Sequence, residues 1–389
     1  MRILTLATLF PNAARPNLGI FVERQMAEIA RRPGWDVTVI NPIARPPWPL
    51  SRHARYRDLE GLPEHEQWRG LDVYRPRFAH LPGPGVHLQP QLIARAILPL
   101  VRKLHQKQPF DLIDAEFFFP DGPAARIIAQ ALDLPYSVKA RGADIHHWGN
   151  QLRTRQQVLD AAHNAAGLLA VSAALKDDMV ALGMADDKIR VHYTGCDQTS
   201  FRPHDDSALR TQLGIGGPML ISVGALIARK RQHLVIEALP ALLGSTLVLV
   251  GQGDKQAELQ TLAERLGVAD RVIFAGVVPH DELPGWLAAA DVMVLPSSSE
   301  GLANAWVEAL ACGTPIVIAD AGGARELLRD PQAGRIVMPD PAAIAEAVRA
   351  LLAATPDRHA VRATVSAFTW TRNGDELMDY FAGLLTRRQ

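Results

Sequence analysis

At 389 residues, 48% of them apolar, the chain is longer than a single hydrophobic core fills, so two domains are expected. Its 41 Lys and Arg against 41 Asp and Glu exclude the basic excess of a phosphate-tracking nucleic-acid binder. Two cysteines, Cys196 and Cys312, exclude a disulfide framework and fit no zinc spacing, which points to a reducing compartment and no metal site.

The opening apolar run, residues 2–9, reads as a first buried strand rather than a signal peptide, because a Pro-Asn turn and further charges follow at once. A helix is expected over Ile20–Arg31, where Phe21, Met26, Ile29 and Ala30 recur with a 3.6-residue period and face the first strand. Residues 41–90, rich in Pro and Arg with Trp48, Trp68 and Tyr74, read as a long irregular excursion that a compact domain would not carry without use. The run Gln91–Gln108 mixes Leu and Ile with Arg95, Arg102, Lys103 and Lys107. It fits a domain-packing helix with a basic outer face, or a helix lying on a membrane.

Further strands are expected near 35–40, 110–114, 135–139, 167–171 and 188–193, separated by helical patterns. That rhythm implies crossovers and a parallel sheet. Residues 1–110 carry sixteen Lys and Arg against eight Asp and Glu, so the basic half is N-terminal, suited to an anionic acceptor, a membrane face or plain solvent. No run of about 18 uncharged apolar residues occurs, so no bilayer span is expected.

A second series follows the loop Phe201–Asp206, with strands near 218–223, 246–250, 271–275, 291–295, 315–318 and 334–337. The cluster Gly214-Ile215-Gly216-Gly217-Pro218 marks its entrance. The domains are accordingly placed at 1–203, with the amphipathic C-terminal segment 366–389 added to it, and at 204–365.

Pro296–Pro315 is the segment richest in chemistry. It follows a strand and turns into a helix, placing Glu300 and the amides of Gly301, Leu302 and Ala303 at the mouth where open α/β sheets bind ligands. A helix N-terminus stabilises phosphate through its unpaired N–H groups, and a carboxylate beside it suits sugar hydroxyls. Glu308, two turns into the helix, is suited to accept from a ribose diol, its alternative being an ordinary charged helix position.

Glu300 and Glu308 in this setting resemble the E-x7-E motif of the retaining family-4 glycosyltransferases (glycosyl transferases group 1). Val223–Lys230 resembles that family's strand-to-loop phosphate segment, and Tyr193–Asp197 with Phe201 and Pro203 its hinge. Leu249–Gly253, Val272–Gly276, Gly313-Thr314-Pro315 and Gly322–Glu326 also fit, as do Phe10-Pro11, Gly19–Val22, Phe119–Gly122 and Arg141–Ile145 upstream.

The resemblance implies a GT-B fold: two Rossmann-like α/β domains facing across a cleft, with a C-terminal helix crossing back to the first. It implies transfer of a sugar from a UDP- or GDP-sugar to a glycan, lipid-linked or small acceptor, with surface-polysaccharide synthesis as the setting. The location is cytoplasmic, with peripheral contact at the membrane face, and neither metal nor cofactor is implied. Lys230 and Arg229 would neutralise the pyrophosphate and Glu300 bind the sugar, while Glu308, Gly301, Leu302, Ala303, Gly224, Gly251, Phe274 and Gly19 would line the donor site.

Arg141 and Glu116 stand where relatives often carry His, and Ala225 and Arg231 where they have Arg and Gly. A guanidinium at Arg141 binds an anion but cannot act as a base, and Glu116 either replaces a His role there or is a rim acid paired with Arg141. Asp144 is placed either on the acceptor or as a cap of its own turn. These departures keep two rivals open: a catalytically silent sugar-nucleotide binder, and an epimerase or phosphorylase on the same fold. Gly251-Gln252-Gly253 lacks the third glycine of a dinucleotide fingerprint, which disfavours a nicotinamide enzyme.

Overall fold

The computed structural model describes residues 1–50, 53–80, 83–205 and 207–386. Asp206 of the expected connecting loop, residues 51, 52, 81 and 82 of the 41–90 excursion, and residues 387–389 of the C-terminal segment lie outside the described residues. The chain forms two compact units, Met1–Gly195 with Trp370–Gln389, and Cys196–Thr369.

The divisions thus fall at 195/196 and 369/370, where the sequence suggested 203/204 and 366. Residues 196–203 belong with the second unit because they are bonded into it. The Cys196 amide donates to Phe368 O at 3.0 Å, Gln198 Nε2 to Val365 O at 3.0 Å, and Arg362 Nη2 to Gln198 O at 2.8 Å.

The strands of the first unit are β1 (Arg2–Leu6), β2 (Asp36–Ile40), β3 (Ile43–Arg45), β4 (His65–Trp68), β5 (Leu71–Tyr74), β6 (Arg77–Ala79), β7 (Leu112–Ala115), β8 (Tyr136–Ala140), β9 (Gly167–Ala170) and β10 (Ile189–Val191). Eight of them form one sheet in the order β10-β9-β8-β7-β1-β2-β5-β4, parallel except for the β4–β5 pair. Helices cover both faces of such a sheet, so its strands are apolar on both sides rather than alternating. All of β7, β8 and β9 is buried.

The 41–90 segment is a correction to the sequence reading, since its described residues hold four strands. β3 and β6 pair as a separate two-stranded sheet, and β4–β5 is a hairpin on the edge of the main sheet. The hairpin turns on Arg69-Gly70, both with positive φ (48° and 85°), as a two-residue turn matched to strand twist requires. An arginine in a place that favours Asn or Asp hid that turn. Arg75, 0% exposed, binds the segment down by donating to Glu66 Oε1 (2.6 Å), Asn41 Oδ1 (2.5 Å) and Pro11 O (2.9 Å).

The expected first helix runs Ile20–Ala30, with Met26 and Ile29 buried against Ile3, Val37 and Val39. The last helix, Trp370–Thr386, adds Leu377, Tyr380, Phe381 and Leu384 to the same core. Among the described residues, no helix is long and apolar enough to cross a membrane.

The second unit holds β11 (Met219–Val223), β12 (Thr246–Val250), β13 (Val272–Gly276), β14 (Val292–Leu295), β15 (Ile316–Ala319) and β16 (Gly334–Val337). They form an all-parallel sheet in the order β13-β12-β11-β14-β15-β16, over a core of Leu220, Val235, Leu247, Leu249, Val292, Val294, Ile344 and Val348. Among the parallel strands of each sheet the order reverses once, between β1 and β7 and between β11 and β14. The crevice outside the carboxyl ends of such a pair is where open α/β sheets take ligands.

Candidate active site

In the second unit, the loops leaving β11 and β14 supply the charged groups. β11 runs into Gly224, whose amide donates to Val250 O at 2.9 Å, and on to a short turn at Ala228–Lys230. Gly251 packs so closely on that loop that a Cβ there would sit 2.1 Å from Gly224 O, so its lack of a side chain lets β11 and β12 deliver their loops side by side. The two loops are then joined by charge. Lys230 Nζ donates to Glu300 Oε1 at 2.5 Å, and Arg229 Nη1 lies 3.1 Å from Glu300 Oε2.

The backbone completes the joint. Arg229 Nη1 also donates to Ser299 O, and the Ser298 amide donates to Arg229 O at 2.8 Å. Gly322 lies against the carbonyls of Glu300 and Gly301, a contact that no side chain would fit, and the Gly323 amide donates to Gly301 O at 2.7 Å. Arg231 adopts φ +54° at the start of the next helix, the left-handed region that a glycine occupies without strain.

Glu300 is 8% exposed. Burial works against its ionisation, but the Lys230 ammonium and the Arg229 guanidinium outweigh it and hold the carboxyl below its ordinary pKa. Burial lowers the Lys230 pKa in turn, while Glu300 draws it back up. An ammonium has three N–H donors, and Lys230 spends one on Glu300, so the same group can hold that carboxylate and meet a phosphate oxygen.

The helix after β14 begins at Asn304, with Ala303 in the capping position and no side chain capping it. Gly301, Leu302 and Ala303 therefore form the approach to the helix rather than its first turn, a correction to the expected start. The Leu and Ala side chains are buried there, 7% and 8% exposed. Glu308 Oε1 accepts from His280 Nε2 at 2.9 Å, and the His280 ring lies 5.3 Å from that of Phe201. His280 was missed in the sequence, although its place just beyond the carboxyl end of β13 is a ligand-side position. Phe274, half-buried on β13, packs on the core of the unit.

In the first unit, Glu116 and Arg141 leave the carboxyl ends of β7 and β8. Arg141 Nε donates to Glu116 O at 2.9 Å and Nη2 to Glu116 Oε2, and the guanidinium stands 4.2 Å from the Phe21 ring centroid. The expected pairing of these two residues is present, but Glu116 lies in the core, 1% exposed, not at a rim. Asp144 accepts from the amides of Phe118 (2.9 Å), Arg141 (3.0 Å) and Gly142 (2.8 Å), so it caps its own turn. Gly19 starts the helix Ile20–Ala30 with φ +69°, where a Cβ would fall 2.3 Å from Leu9 O. The need for glycine there comes from this backbone contact.

Behind Arg141 runs a buried polar chain that sequence periodicity does not reveal. Glu116 Oε1 accepts from Gln25 Nε2. Lys139 Nζ donates to Gln25 Oε1 at 2.5 Å and lies 2.7 Å from His192 Nδ1. Burial lowers Lys139 to about 7, with Arg141 pushing the same way and Glu116 and Asp114 opposing. Burial opposes the ionisation of Glu116, yet Arg141 and Lys139 hold its pKa down, while Asp114 is pushed well up by burial and by Glu116.

Asp121, 0% exposed, accepts from the Thr8 amide at 3.0 Å, and its Oδ1 has no partner among the described residues. Burial raises its pKa from 3.8 to about 7. The folded protein therefore holds this proton where the unfolded chain has lost it, and stability falls as pH rises from about 4 to about 7. Asp121→Asn removes that titration. The variant's unfolding free energy relative to wild type should rise by roughly 2–4 kcal/mol between pH 5 and pH 8, measured by urea melts at both. A difference that does not vary with pH would exclude a raised Asp121.

Residues 205–365 match the family model for glycosyl transferases group 1, and residues 19–195 that for the glycosyl transferase 4-like domain. The putative teichuronic acid biosynthesis glycosyltransferase TuaC of Bacillus subtilis is 29% identical over 357 residues, covering 90% of this chain and 88% of that one. The D-inositol 3-phosphate glycosyltransferase of Frankia alni is 35% identical over 276 residues, covering 64% and 67%. Among solved structures, the sucrose-phosphate synthase of Thermosynechococcus elongatus superposes with a TM-score of 0.84 at 21% identity, over 99% of both chains.

Proposed function

Because the chain belongs to the group 1 glycosyltransferases and has their GT-B fold, we propose that it moves a hexose from a UDP- or GDP-sugar to a glycan or lipid-linked acceptor in surface-polysaccharide assembly. The observation that carries the donor assignment is the convergence of Lys230 and Arg229 on Glu300 at the β11–β14 reversal, one loop away from the uncapped helix that bears Glu308. Two cations beside free helix amides suit a pyrophosphate. Glu308 takes the ribose diol and Glu300 the sugar hydroxyls.

As the glycosidic bond to the leaving phosphate lengthens, negative charge gathers on the departing oxygen. Lys230 and Arg229 stabilise it there, and the acceptor attacks from the same face, passing its proton to that phosphate. The anomeric configuration is retained, and protein cations supply the charge a metal would otherwise provide. The helix Gln89–Lys107 carries no acidic residue and exposes Arg95, Arg102, Lys103 and Lys107, which favours an anionic or membrane-borne acceptor at the cytoplasmic face. The name of the Bacillus relative favours the same setting.

Thermal shift with UDP, GDP, ADP, CMP and NAD, in buffer containing EDTA, tests this reading. A ligand at about 100 times its dissociation constant adds roughly 2.7 kcal/mol of stability. UDP or GDP should raise the melting temperature selectively, and Glu308→Ala should abolish the rise. No shift with any nucleotide, or a shift that Glu308→Ala leaves intact, would overturn the donor site.

A further inference from the structure

Glu308 sits on a helix that fixes its backbone, but a glutamate has three rotatable bonds beyond that backbone. A carboxylate able to swing loses freedom when it grips a ligand, and that loss weakens binding. Here the swing is already restrained. His280 Nε2 lies 2.9 Å from Glu308 Oε1, and both side chains are mostly covered, 19% and 13% exposed. Facing a carboxylate, Nε2 carries the hydrogen and donates it.

The imidazole is itself held. Its ring lies 5.3 Å from that of Phe201, which is 2% exposed. The loop behind it is fixed where the Glu282 and Leu283 amides both donate to Pro279 O, at 3.0 and 3.2 Å.

We propose that His280 is a positioning residue for the donor's ribose. It occupies one oxygen of Glu308 and turns the other toward the two ribose hydroxyls, with Phe201 backing the imidazole. This rests on the reading of Glu308 as the ribose ligand. It also gives Phe201 a task, since the ring reaches the donor through His280 and Glu308 rather than by touching it. Removing the imidazole leaves the carboxylate in place but unaimed.

The test is calorimetric titration of the full chain with UDP and GDP and with the 2′,3′-dideoxy form of each, which lacks both hydroxyls. His280→Leu keeps an apolar side chain against Phe201 but cannot donate, whereas His280→Gln places an amide N–H near the position of Nε2. For whichever nucleotide binds, His280→Leu should weaken the ribonucleotide about tenfold, change the 2′,3′-dideoxy form by no more than about twofold, and be largely rescued by His280→Gln.

A purely packing role would weaken both forms alike and would not be rescued by Gln, and either result overturns the proposal. Glu308→Ala separates the two levels. If it erases the preference for ribose while His280→Leu does not, Glu308 keeps its assignment and His280 loses its own. If Glu308→Ala retains the preference, both fall.

Discussion

Replacing Lys230 with alanine is expected to lower turnover by roughly a hundredfold or more, because a preorganised donor aimed at charge that develops in the transition state is worth about 3 kcal/mol. The side chain is only 12% exposed and its Nζ is 2.5 Å from Glu300, so its field acts in a partly dried site where it is little screened. The fold should survive. Glu300 keeps the Arg229 guanidinium at 3.1 Å, so its carboxylate is not left buried without a cation.

The loss should therefore appear in kcat at saturating donor, while the melting temperature stays close to that of wild type. Steady-state release of nucleoside diphosphate in the presence of acceptor measures the first, and a thermal melt the second. Turnover within about threefold of wild type would remove Lys230 from the leaving-group chemistry. A large drop in both quantities would mean that Lys230 acts mainly as the structural partner of Glu300.

The second large effect is structural. Ending the chain at Thr369 should unfold the sheet region around β1 and β2, because the helix Trp370–Thr386 buries Leu377 (0% exposed), Phe381 (0%), Leu384 (5%) and Tyr380 (8%) in the first unit. Burial of one such side chain is worth about 1.5–3 kcal/mol, so the four approach the whole stability of an ordinary domain, about 5–15 kcal/mol. The helix also supplies the Asn373 carbonyl, 2.9 Å from His192 Nε2, and so ends the buried polar chain that runs back to Arg141.

Hydrogen exchange gives the local readout. In the truncated protein the amides of β1 and β2 should lose protection, while those of β11 and β12 in the second unit keep theirs. Unchanged protection in β1 and β2 would show that the helix adds little to the first unit.

Much of the architecture was readable because its cause is local. A parallel strand covered on both faces must be apolar along its length, so β1, β2 and β7–β16 stand out as short runs. Of the apolar stripe Phe368, Trp370, Leu377, Tyr380, Phe381 and Leu384 readable in the sequence, the last four pack one side of a helix, while Phe368 precedes it and Trp370 opens it without being buried. The β4–β5 hairpin did not stand out, because Arg69 takes the left-handed turn position that more permissive residues advertise.

The site divides along the same line. Glu300 and Glu308 could be picked from one continuous segment, since their spacing and the turn into a helix are properties of that segment alone. Which groups they meet could not. Lys230 lies seventy residues before Glu300 in sequence, and they touch only because β14 returns beside β11 instead of continuing past β13. His280 reaches Glu308 across twenty-eight residues for the same kind of reason, from the far side of the sheet order.

The pairing of Arg141 with Glu116 could be expected from the sequence, but that the carboxylate is buried in the core rather than at a rim could not. The sequence by itself determined the two parallel-sheet units and the residue types at their ligand-side ends, because periodicity and turn chemistry act over a few residues. Only the tertiary structure decided which charges neutralise one another, because strand order brings together loops far apart in the chain, and burial then sets how strongly they interact.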